Sequence, residues 1–270
     1  MECFDPHEPW DPPREYARLY DPAFDSLDGL MPPGLTERLT PAQVHNVRTA
    51  YAGEVTLVDR WVGHLLDTLA ATRHAEDTVV VFTSDHGAML GEQGELHKGF
   101  HRLRQQCTRV PLFIRVPGQP HREVRGFGQH QDIMPTVLAL AELPVPERVL
   151  GRNLWPQVLG EASGPEAVVT AFGPFASYRT ATWNYIRPWT ELGPRQGAPR
   201  CDLYHLASDP DELRNVVGQH PNVSTELGAA LEAHLRRLAP LTGGSFQGTG
   251  PAPGELSFDA LPRLHRAPAG

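Results

Sequence analysis

The chain has 270 residues, of which 40% are hydrophobic, so it can bury a core and wholesale disorder is excluded. Its 24 basic and 32 acidic residues leave a formal charge of −8, which argues against a nucleic-acid partner, since that needs a basic face opposite phosphates. No run approaches the ~18 apolar residues of a membrane span. The opening Met1-Glu2-Cys3-Phe4-Asp5-Pro6-His7 lacks the basic and apolar regions of a signal peptide.

Cys3, Cys107 and Cys201 form an odd, sparse set without CxxC spacing, so neither a disulfide scaffold nor a zinc site is indicated. Compartment is left undetermined, with the cytoplasm as default. Of the 24 basic residues only one is lysine, Lys98. A mobile ammonium does work that a planar guanidinium does not.

Residues 1–35 are rich in proline and aspartate and read as an extended, turn-rich loop. Thr40-Pro41-Ala42-Gln43 is a capping box with proline at the first helical position. Apolar residues then recur at Val44, Val47, Tyr51, Val55, Val58, Val62, Leu65/Leu66 and Leu69, which predicts a helix with one buried stripe, ending near residues 71–74. Residues 78–83 are a β-branched run without alternation, the pattern of a strand buried on both faces of a parallel sheet. Residues 111–116 are a second strand, closed by Pro117-Gly118. Residues 132–143 are a helix with Ile133, Val137, Leu138, Leu140 and Ala141 facing inward. The short runs 167–172, 177–187 and 203–206 suggest a small antiparallel sheet, followed by a helix over 222–238. The expected organisation is an α/β core over 1–164, an antiparallel subdomain over 165–239 and a disordered tail over 240–270.

The first strand runs into Ser84-Asp85-His86-Gly87, and ligands in open α/β sheets bind beyond such carboxyl ends. A carboxylate beside an imidazole suits a divalent metal, although a polar strand end turning into solvent has the same composition. Gly87 would free the backbone to aim both side chains at one centre. Gly91-Glu92-Gln93-Gly94-Glu95-Leu96-His97-Lys98-Gly99 then delivers the lone ammonium on a Gly-bracketed loop. Lys98 could hold a sulfate or phosphate oxygen, or simply contact Glu92 or Glu95. His7 sits in the proline-locked loop, either as a functional group placed by that loop or as a surface residue beside Glu8.

Asp5-Pro6-His7-Glu8-Pro9-Trp10, Phe82-Thr83-Ser84-Asp85-His86-Gly87 and His97-Lys98-Gly99, in this order, resemble the sulfatase family of the alkaline phosphatase superfamily. Arg109-Val110-Pro111-Leu112, Asp132-Ile133-Met134-Pro135-Thr136, Gly151-Arg152-Asn153-Leu154 and Asp202-Leu203-Tyr204-His205-Leu206 extend the resemblance from residue 4 to about residue 237. The resemblance implies an alkaline-phosphatase-like α/β fold with a partial, mostly parallel sheet flanked by helices. It implies a divalent metal, most often Ca2+ with Mn2+ as the alternative, with Asp85 and His86 in its shell. It implies that Lys98 and His7 contact the sulfuryl group and leaving oxygen of a small anionic sulfate ester. Family enzymes attack sulfur with formylglycine, made from a C/S-x-P-x-R signature, and relatives cleave phosphonate or phosphate esters.

That signature is absent from this sequence: Cys3 is followed by Phe4-Asp5, Cys107 by Thr108-Arg109 and Cys201 by Asp202-Leu203. The expectation is therefore the C-terminal part of a sulfatase, poorly active as given, with the nucleophile encoded upstream. A phosphonate or phosphodiester hydrolase and a non-catalytic metal-binding remnant are the competing readings. Residues 10–36 and 167–200 are expected at the pocket mouth, and oligomeric state is left open.

Overall fold

The computed structural model describes residues 2–25, 39–189 and 200–238, so the expected tail lies outside the described residues. The chain enters through a proline-rich loop into a single turn, α1 (Arg14–Ala17), and then the long helix α2 (Pro41–Ala71). The capping box forms as read: the Thr40 hydroxyl accepts from the Gln43 amide and the Gln43 side chain accepts from the Thr40 amide. A short 3-10 turn over His74–Glu76 leads to β1 (Val80–Thr83). A hairpin of β2 (Met89–Leu90) and β3 (Leu96–His97) follows, then the turn α3 (Gln105–Thr108) and β4 (Leu112–Arg115). Helices α4 (Ile133–Leu140) and α5 (Trp155–Leu159) precede an antiparallel sheet of β5 (Ala167–Phe172), β6 (Phe175–Thr180), β7 (Trp183–Pro188) and β8 (Asp202–His205), in sequential order. Helix α6 (Pro221–Leu238) packs on that sheet, with Leu227 clustered against Tyr185 and Leu203.

Four expectations need correction. The sheet is not mostly parallel: β1 pairs with β4 antiparallel, Val80 opposite Arg115 and Thr83 opposite Leu112, and every strand pair among the described residues is antiparallel. A β-branched run without alternation reports burial, not direction, so the pattern could not distinguish the two. Burial itself is lower than the run suggests, because Phe82 and Phe113 are 37% and 66% exposed.

The stripe on α2 is buried only in its first half. Val47, Ala50, Gly53 and Glu54 pack against α1 and the Trp10 loop, where a Cβ on Gly53 would come within 2.9 Å of the Ala17 amide nitrogen. Beyond that point the stripe is open, with Val55, Trp61, Leu65 and Leu66 exposed. On α4, Val137 likewise faces out, while Pro135 and Thr136 are buried.

The core that positions the functional residues is built on Trp10. Its indole is buried among Ala17, Val47, Ala50 and Leu96, and its Nε1 donates to the Pro6 carbonyl at 3.0 Å. That ties the N-terminal loop to α2 and to the β2–β3 hairpin. Asp132 makes a second anchor: it is buried and accepts from the amides of Gln129 and Arg152.

Candidate active site

Lys98 follows β3 directly, and its backbone is held from below. The Arg102 guanidinium donates to the carbonyls of Leu96 at 2.6 Å and Lys98 at 2.9 Å. Arg102 is itself steadied by Glu95, which also takes Arg104 and, at 3.0 Å, His101 Nε2. Burial pushes the pKa of Glu95 up, but the His101 hydrogen bond and the charges of Arg104, His101 and Arg102 outweigh it and hold the pKa at about 2. The hairpin therefore stands on an ionised, buried carboxylate.

The lone ammonium meets the N-terminal loop across 91 positions of sequence. Lys98 Nζ donates to His7 Nε2 at 2.8 Å and to Glu8 Oε1 at 3.0 Å. His7 Nδ1 lies 2.6 Å from the Glu8 carbonyl. A carbonyl can only accept, so Nδ1 carries the proton and Nε2 presents its lone pair to the ammonium. His97 approaches the Glu8 carboxylate from the other side, its Nδ1 3.5 Å from Oε1, and stacks on Trp10 with a 13° interplanar angle. Glu8 is held well below the ordinary carboxylate range, chiefly by His97 and against the effect of burial, with its own amide and Lys98 adding to the shift.

Asp85 and His86 stand in the turn after β1. The His86 amide donates to Asp85 Oδ1 at 2.8 Å, and His86 Nδ1 donates to the Gly87 carbonyl at 2.9 Å. His86 Nε2 is thereby left with its lone pair, 3.5 Å from Asp85 Oδ2. Two donors at that separation fit adjacent positions around one divalent cation, whose ligands sit at ~2.0–2.6 Å. Two side chains are fewer than such a cation needs, and among the described residues no group of three or more His, Cys, Asp or Glu side chains could hold a metal. Gly87 is needed for a different reason than backbone freedom. A Cβ there would lie 2.1 Å from the Gln106 carbonyl oxygen, and the Gly87 amide bonds the Cys107 carbonyl at 2.9 Å.

Asp85, His86 and Lys98 line one cavity of about 1690 Å³, bounded on the far side by β5 and β6. The structure thus brings Lys98 and His7 into contact, and places Lys98 on the same cavity as the Asp85–His86 pair. Lys98 contacts neither Glu92 nor Glu95 but Glu8. Sequence reasoning passed over Glu8 and His97 as partners, although both flank residues it chose. Arg109, beside the cavity, is another cation that the motif reading used only for its fold. Of the segments expected at the mouth, residues 26–36 and 190–199 lie outside the described residues.

The α/β core, with Asp85, His86 and Lys98 on one cavity, is of the alkaline-phosphatase-like fold class. A sulfatase family model matches residues 4–143, just over half of the chain. The chain belongs to the sulfatase family, within the alkaline phosphatase superfamily. It is 33% identical to a choline-sulfatase of Rhizobium meliloti (strain 1021) over 187 residues, covering 66% of this chain and 35% of that protein. It is 27% identical to arylsulfatase K of Bos taurus over 220 residues, covering 73% and 38% respectively. The fold matches a phosphonate monoester hydrolase from Silicibacter pomeroyi with a TM-score of 0.64 and 24% identity, covering 84% of this chain and 49% of that one. The chain therefore spans little more than a third of the length of these curated relatives. Among the described residues no helix is long and apolar enough to cross a membrane.

Proposed function

We propose that this chain carries one side of the active site of a sulfate-ester hydrolase, which converts an ester R–O–SO3− and water into the alcohol ROH, sulfate and a proton. The observation that carries the reading is the contact between Lys98 Nζ and His7 Nε2, made by residues 91 positions apart, with Lys98 lining the same cavity as Asp85 and His86. Lys98 places positive charge where a sulfuryl or leaving oxygen would sit, and such preorganised charge is worth most in a site partly shielded from water. Its side chain is 29% exposed, so it is reachable by a ligand yet partly desolvated. His7, with Nδ1 protonated, offers Nε2 as the station for a proton exchanged with the ammonium or the leaving oxygen.

Asp85 Oδ2 and His86 Nε2 are the atoms that would hold a divalent cation, Ca2+ first and Mn2+ as the alternative. When bound, that ion supplies charge that polarises the ester oxygens. The nucleophile is not a described thiol of the buried core: burial pushes Cys107 up to about 11, and none of the three cysteines is in a C-x-P-x-R frame.

The test is calorimetric titration of the purified chain with inorganic sulfate and with 4-nitrophenyl sulfate, with and without Ca2+. Binding that falls about tenfold or more in Lys98→Ala supports the reading, that being the scale of a charge-assisted hydrogen bond. Sulfate binding that is absent, or indifferent to Lys98, overturns it. Phenylphosphonate serves as the competing arm: a preference for it moves the assignment to phosphonate esters. Turnover of the aryl sulfate by the 270-residue chain would eliminate a purely binding role.

A further inference from the structure

Glu8 touches both members of the Lys98–His7 pair, and it does so through two different groups. Its carboxylate takes Lys98 Nζ at 3.0 Å, and its carbonyl takes His7 Nδ1 at 2.6 Å. We propose that Glu8 is a positioning residue for the Lys98 ammonium: with His7 it occupies two of the three N–H bonds and leaves the third for an anionic oxygen in the cavity. This rests on the reading that Lys98 faces the anion.

Three further contacts support it. The carboxylate itself cannot swing freely, because His97 Nδ1 stands 3.5 Å from Oε1 and the His97 ring is clamped flat on the buried Trp10 indole. Among the described residues both ring nitrogens of His97 are buried without a hydrogen-bond partner, and the Glu8 carboxylate is the counter-group that the ring's polar edge faces. The ammonium's own backbone is pinned by Arg102 at the Lys98 carbonyl. A free lysine side chain samples many rotamers. Anchoring Nζ at one end and the carbonyl at the other removes that freedom before a ligand arrives, which is how pre-organisation raises affinity. A carboxylate beside the ammonium also weakens its raw pull on an anion, so the arrangement favours direction over charge.

The chain's composition makes this directly measurable. Lys98 is its only lysine, so protein labelled with 13C,15N-lysine gives a single side-chain NMR signal. The expected result is a rigid Lys98 Cε in the unmodified chain and a several-fold faster, larger-amplitude motion in Glu8→Ala. Glu8→Asp should fail to restore order, because its carboxylate is set back by one methylene. The 15N shifts of His7 should still report Nδ1–H in Glu8→Ala, because that bond uses a backbone carbonyl which the substitution keeps. Should Glu8→Ala not fold, the isosteric Glu8→Gln decides. There, exchange of the Nζ protons with water rises several-fold once the bond loses its charge assistance. A Lys98 signal equally ordered in Glu8→Ala, or unchanged proton exchange in Glu8→Gln, overturns the proposal. Titration of the unmodified chain with inorganic sulfate tests the underlying reading separately. A Lys98 signal that ignores sulfate removes the anion from the site, whatever the Glu8 variants show about order.

Discussion

Glu212 Oε2 accepts from the backbone nitrogen of Gln105 at 2.6 Å, so a carboxylate after β8 holds the start of α3, seven residues beyond Lys98. Its other oxygen takes Arg179 Nη1 at 2.9 Å on β6 and Asn184 Nδ2 at 2.6 Å on β7, and the residue is fully buried. Asn184 in turn donates to the Leu103 carbonyl at 3.0 Å. The acidic turn around residue 212 is therefore a joint between the antiparallel sheet and the segment that carries the ammonium. Removing the Glu212 carboxylate leaves the Arg179 guanidinium, its side chain only 17% exposed, without its counter-charge and takes one bond from the buried Asn184 amide. Glu212→Ala should cost about 3–5 kcal/mol, and Glu212→Gln less, about 1–3 kcal/mol. Urea denaturation followed by far-UV circular dichroism checks both, and a loss under 1 kcal/mol for the alanine variant would refute the joint.

Two buried carboxylates titrate in opposite directions. Glu54 on α2 accepts from the Asp11 amide through Oε1 and leaves Oε2 without a partner. Burial, then the nearby charges of Asp5 and Asp11, push its pKa up to about 7. The protonated form is thus the one the fold accepts. Its contribution is whole below the unfolded value of 4.5 and fades as pH rises through about 7. Glu95, held at about 2, contributes above 4.5 and loses that contribution as pH falls through about 2. Unfolding free energy should therefore decline by on the order of 1–2 kcal/mol between pH 5 and pH 8. Glu54→Gln should flatten that slope without changing the acid limb, as read by chemical denaturation at a series of pH values.

The helix Pro41–Ala71 was legible because its start is written locally, in Thr40, Pro41 and Gln43, and its period holds for 31 residues. Lys98 was legible by its singularity, and Asp85 and His86 by their place after a β-branched run. Glu8 and His97 were not, because their significance lies in contacts about 90 positions away, and no spacing rule reports those. Strand direction was hidden for a related reason: Val80–Thr83 reads the same whichever way its neighbour runs. Exposure on the second half of α2 was hidden because periodicity says which face is apolar and not whether anything covers it.

That last distinction has a stability consequence. Trp10 lies in a proline- and aspartate-rich loop and is 1% exposed, whereas Phe113 lies in an apolar run and is 66% exposed. Trp10→Ala should lose about 3–5 kcal/mol and release the N-terminal loop, since the indole also bonds the Pro6 carbonyl and supports His97. Phe113→Ser should stay within about 0.5 kcal/mol and reduce the binding of a hydrophobic dye to the β1–β4 face. Equal losses in the two variants, measured by the same denaturation, would mean that Phe113 is buried in solution.

Gly87 offers the sharpest test of how the Asp85–His86 pair is aimed. A methyl group there would meet the Gln106 carbonyl at 2.1 Å, which is backbone and cannot swing away. The turn and α3 would have to separate, breaking the Gly87 amide bond to the Cys107 carbonyl. Gly87→Ala is expected to cost about 1–3 kcal/mol, the range of overpacking with a backbone shift. It should also displace the carbonyl of residue 87 that fixes the His86 tautomer. The 15N shifts of the His86 ring should then move away from a pure Nδ1–H form in the variant, whereas Gly63→Ala, on an open stretch of α2 with nothing within 4 Å, should leave them unchanged. A His86 spectrum that is identical in Gly87→Ala would show that the close approach to Gln106 plays no part in setting the pair.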